Sequence, residues 1–84
     1  MKGWGKVKIK QALKFKSVPE KIINIALSEI DRRDYEKTLK KIILERSKAV
    51  KEPNPLKKTY KIAQYAISRG FEPELVWSFL RSDD

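Results

Sequence analysis

Lysine is the residue type through which this chain is best equipped to do chemistry, and its spacing is uneven. Residues 1–16 carry Lys2, Lys6, Lys8, Lys10, Lys14 and Lys16 with no acid, and the stretch from Pro53 to Gly70 carries Lys57, Lys58, Lys61 and Arg69, again with no acid. In a helix Lys6, Lys10 and Lys14 fall at i, i+4 and i+8, a ridge whose like-charge repulsion a phosphate or carboxylate partner would relieve. Acids outnumber bases in residues 17–36 and 71–84, so charge is partitioned between elements. A net charge of +9 makes polyanions the expected partners. Any one of these lysines reads as an ordinary solvated charge; the pattern over two segments favours a binding surface. Such ridges make sequence-independent phosphate contacts, whereas base readout needs Arg, Asn or Gln aimed at base edges.

Other chemistries are poorly served. The chain has neither cysteine nor histidine, which removes thiolate nucleophiles, disulfides and the commonest metal ligand and general base. Glu20, Glu29, Asp31, Asp34 and Glu36 fall near expected helix ends, where they serve as caps and dipole partners rather than as an acid/base pair. Gly3-Trp4-Gly5-Lys6 lacks the spacing and the preceding strand of a phosphate-binding loop. Trp4, Tyr60, Tyr65 and Trp77 could stack on bases, although aromatics at helical spacing are more often core. The chain is therefore expected to be a binding module, not an enzyme, with no cofactor and no metal.

These residues need helices to present them. With 84 residues, 40% hydrophobic and 37% charged, the chain is expected to form one all-α domain. The Ile9 to Leu13 step predicts a first helix from Lys6 to Lys16, with a strand as the alternative for Val7 to Ile9. Ser17-Val18-Pro19-Glu20 predicts a restart, either through a Ser17/Glu20 capping box or with Pro19 at the first helical position. Ile22, Ile23, Ala26, Leu27 and Ile30 form the stripe of the second helix. Asp31 or Asp34 is expected to cap a long third helix running from Tyr35 to about Lys51 through Leu39, Ile42, Ile43, Arg46 and Val50. Asn54-Pro55 predicts the start of a fourth helix and Gly70 its stop. Glu72-Pro73-Glu74 opens a short fifth helix with Leu75, Val76, Phe79 and Leu80 inward, and Ser82-Asp83-Asp84 is expected to fray.

Shifted by 53 positions, Ile9 falls on Ile62, Lys16 on Arg69, Val18 on Phe71, Ile22 on Leu75, Ile23 on Val76 and Leu27 on Leu80. Two helix pairs thus flank the long helix, as repeated units that stack to share a core. Residues 1–31 read as an incomplete first unit lacking its first helix, and 32–84 as a complete three-helix unit. An elongated, right-handed or solenoid-like array is expected, and the chain reads as a fragment missing an N-terminal part. Trp4-Gly5 with Ile9 and Leu13, the run from Val18 to Leu27, and Arg69-Gly70-Phe71-Glu72-Pro73-Glu74-Leu75 with Trp77 resemble the RecX family. Its members, regulators of the bacterial recombinase RecA, are built from tandem three-helix repeats. One departure is Ser17, where the family often has glycine.

The resemblance implies a regulator that binds along the RecA nucleoprotein filament and mainly inhibits the recombinase, in the setting of DNA repair, recombination and the SOS response. Lys6, Lys8, Lys10, Lys14, Lys16, Lys57, Lys58, Lys61 and Arg69 are the expected contacts to that partner and to single- or double-stranded DNA. An independent helix-turn-helix DNA-binding protein is the main alternative. Adsorption to an anionic membrane is a weaker one, because Val7, Ile9, Leu13 and Phe15 are expected in the core. No apolar run is long enough to span a bilayer and no signal peptide is evident, so a cytoplasmic monomer is expected.

Overall fold

The structure, a computed structural model, describes residues 3–81. Lys2 and the expected fraying of Ser82-Asp83-Asp84 lie outside the described residues. Five helices and no strands are found among them, so the fold is all-α: α1 (Lys6–Phe15), α2 (Glu20–Ser28), α3 (Arg32–Ala49), α4 (Pro55–Ser68) and α5 (Pro73–Arg81). Val7 to Ile9 are helical, because the Ile9–Leu13 period and the absence of a partner strand decide against the extended alternative.

Local chemistry accounts for most of the boundaries. Asp31 caps α3, its carboxylate accepting the Asp34 N–H at 3.0 Å, so the helix begins at Arg32, three residues before the expected start. It ends at Ala49, where Val50 turns extended, two residues short of Lys51. The Asn54 side chain accepts from the Leu56 and Lys57 amides at 3.0 and 3.2 Å, and Pro55 takes the first helical position of α4. The start of α2 corrects both readings of its cap. Pro19 stands just before the helix and no side chain caps it, while Ser17 is occupied elsewhere, closing α1 at φ +63°.

The closures of α1 and α4 share one hydrogen-bond pattern. Ser17 N–H donates to Lys14 O at 2.9 Å and Val18 N–H to Leu13 O at 3.0 Å. At the positions 53 further on, Gly70 donates to Ile67 O at 2.9 Å and Phe71 to Ala66 O at 3.3 Å. This is the left-handed C-terminal cap that glycine adopts without a steric penalty, and Gly70 has φ +96°.

The core belongs to α3, α4 and α5. Tyr35 and Leu39 of α3 pack with Ala63 and Ala66 of α4, with Phe71, and with Val76 of α5. The two small alanines leave room for the Phe71 ring, whose centroid lies 5.2 Å from that of Tyr35. By contrast, α1 packs on α2 and the two helices fully bury only Ile23. The expectation that Val7 and Phe15 are core is therefore corrected: Phe15 is 91% exposed and Val7 41%, with Ile22 and Ile25 of α2 also exposed. The physical reason is that, among the described residues, no further helix packs broadly over α1 and α2 as α3 packs over α4.

What joins the first pair to the rest is a seam of backbone. The Gly5 N–H donates to Arg69 O at 2.8 Å, and the Val7 N–H to Gly70 O at 2.9 Å. The Lys6 N–H donates to the Tyr35 hydroxyl at 2.9 Å. Orphan donors of the first turn of α1 thus meet acceptors at the end of α4, with opposite partial charges facing each other. The molecule is elongated, 45 × 23 × 19 Å, with a radius of gyration of 14.1 Å against about 12 Å for a compact chain of this length.

Candidate nucleic-acid interface

Because the carboxyl end of α4 meets the amino end of α1, the two basic helices follow one another end to end. Lys14 and Lys16 at the far end of α1 are exposed, as are Lys57 and Lys61 on α4, while Lys6, Lys8, Lys10 and Lys58 are half-buried. The half-buried pair nearest the seam is ordered by aromatic rings. The Lys6 ammonium sits 5.0 Å from the Tyr35 ring centroid, and that of Lys8 4.5 Å from the Trp4 centroid. Trp4 is thereby engaged within the chain.

Lys61 is paired with Glu52 at 3.0 Å. The Lys61 ammonium, followed by the Asn54 N–H, holds the Glu52 carboxyl below the usual carboxylate range. Arg69 is placed apart from the open lysines. Its guanidinium turns into the seam, 3.4 Å from the Gly3 carbonyl, and its buried Nε has no hydrogen-bond partner among the described residues. Sequence equivalence with Lys16 groups it with surface cations, but the close packing of Gly3 and Gly5 on the end of α4 draws it inward.

The structure also assembles a groove that the lysine pattern did not anticipate. Arg46 and Val50 of α3 and its end face Tyr60, Lys61, Gln64 and Tyr65 of α4 across an open groove of about 540 Å³. The Arg46 guanidinium carbon lies 4.3 Å from the Tyr65 ring centroid. Tyr60 is 56% exposed, its ring 6.4 Å from that of Trp77. A signal was available in the sequence. Arg46 interrupts the apolar stripe of α3, which marks the turn at which that stripe leaves the core.

Tyr35 is the other residue whose role the sequence understated. Its hydroxyl donates to the Glu72 carboxylate while accepting the Lys6 N–H, so one phenol ties together α1, α3 and the start of α5. Burial, then the hydrogen bond to Glu72, pushes the phenol above its ordinary pKa.

Among the described residues no group of side chains could hold a metal ion, and no helix is long and apolar enough to cross a membrane. Fold and surface together define a basic, all-α module with cationic residues on two consecutively docked helices. No family model, curated protein or solved structure matches the chain.

Proposed function

We propose that the chain is a RecX-like regulator that binds the RecA nucleoprotein filament and mainly inhibits the recombinase. The observation that carries this reading is the pair of matching closures at Ser17 and Gly70, 53 residues apart, each ending a basic helix. They support a tandem helical unit of the kind the resemblance implies, and Ser17 takes the left-handed conformation that a glycine would. The elongated body and its cationic helices suit a partner that is itself a polymer of protein and polyanion.

In this reading the chain is not an enzyme. ATP hydrolysis and strand exchange belong to the recombinase, and the module acts by occupying protein and DNA surface, which limits filament growth or hastens disassembly. It acts in the cytoplasm and as a monomer. Titrating the 84-residue chain into RecA-driven ATP hydrolysis on single-stranded DNA tests the proposal. Hydrolysis is expected to fall as the chain is added and to recover as salt rises. An undiminished rate at saturating chain would overturn the reading.

A further inference from the structure

We propose that the α3–α4 groove lined by Arg46, Tyr60, Lys61, Gln64 and Tyr65 is a stacking site for unpaired bases of a single-stranded nucleic acid. The inference rests on the part of the preceding reading in which basic helices meet nucleic acid, and is independent of the recombinase.

The case begins with exposure. An aromatic at helical spacing ordinarily belongs to the core, but Tyr60 is 56% exposed, and Leu56 one turn before it is 83% exposed. On α4, Tyr60 and Gln64 stand at i and i+4, as do Lys61 and Tyr65, so two rows of side chains face the groove. Contact with Trp77 on one side braces the Tyr60 ring and leaves more than half of the residue open. Arg46 over Tyr65 makes a second planar surface, a guanidinium above a ring, on which a base can continue the stack.

The charges around the groove select the ligand. Lys57 and Lys61 are exposed on α4, which carries no acid, and the chain as a whole is +9. Two acids lie close by. Glu52 is engaged by Lys61 at 3.0 Å, and Glu45 lines the space on the other side of Arg46 and Tyr65. A strand whose phosphates approach Lys57 and Lys61 would compete with Glu52 for the Lys61 ammonium. A duplex has its base faces covered by neighbours, so the groove offers it only the cations. A single strand uses both the cations and the rings. An acidic peptide would use the cations but brings no succession of planar bases to stack on both the Tyr60 ring and the Arg46 guanidinium.

The test compares a fluorescent (dT)20 with a duplex of equal length by anisotropy, using the whole chain, Tyr60→Ala and Tyr60→Trp. Tyr60→Ala is expected to weaken (dT)20 binding on the order of tenfold while duplex binding and the salt slope of both stay as they were. Tyr60→Trp should retain (dT)20 affinity, since it keeps a ring in place. Circular dichroism checks that both variants remain helical. An unchanged (dT)20 affinity in a helical Tyr60→Ala chain would overturn the proposal, and so would an equal loss for single strand and duplex. Neither measurement contains RecA, so this site and the recombinase reading fail separately.

Discussion

The side chain on which most depends is Tyr35, which no chemical motif singles out. Its ring sits in the core at 7% exposure, yet its hydroxyl donates to Glu72 and accepts the Lys6 N–H. Tyr35→Phe keeps the ring and strands both partners, which is expected to cost ~1–3 kcal/mol in chemical denaturation. The pH dependence follows from the direction of its shift. A phenol whose folded pKa is raised stabilises the fold fully below the unfolded value of about 10, and that contribution is lost as pH rises through the folded value. Above about pH 10 the native chain should therefore lose stability more steeply than Tyr35→Phe. Parallel slopes in denaturation curves at rising pH would contradict this. The sequence placed Tyr35 at the start of a helix, but its partners lie 29 and 37 residues away, and periodicity carries no information about such contacts.

At the scale of elements, local signals were legible and long-range ones were not. Asn54-Pro55 and Gly70 marked the limits of α4 because each acts on backbone within a few residues. Serine is a good cap, so Ser17 reads as one of two possible starts of α2, whereas here it ends the preceding helix at φ +63°. An L-residue other than Asn or Asp pays roughly 1 kcal/mol for that conformation, which glycine, with no Cβ, does not. Ser17→Gly is accordingly expected to stabilise the chain by about 0.5–1 kcal/mol, read as a Tm several degrees higher in a thermal melt. A lower Tm would mean that the serine side chain contributes more to the turn than its backbone strain costs. The apolar stripe of α2 is visible in the sequence as well, but not that two of its members, Ile22 and Ala26, remain exposed. A stripe shows which face seeks cover without showing what supplies it.

For the whole molecule, composition and charge indicated an all-α body with basic helices, while the route by which the first pair attaches depends on two glycines far apart in sequence. A Cβ on Gly5 would lie 2.1 Å from both the Gly70 carbonyl carbon and the Phe71 nitrogen, a distance no side-chain adjustment can relieve. Gly5→Ala should therefore unseat α1 and α2 while α3, α4 and α5 keep their shared core. Hydrogen exchange would show this as lost protection in the first pair only. Uniform protection across all five helices would contradict it. The seam has a further consequence. Its joints are amides, carbonyls and one phenol, and the two charges against it, the Arg69 guanidinium and the Glu72 carboxylate, are half-buried, where mobile ions screen weakly. The cationic surface is the opposite, and its hold on a polyanion weakens steeply as ionic strength rises. Salt can thus release the chain from a charged partner without loosening its frame, so that attachment and architecture are under separate control.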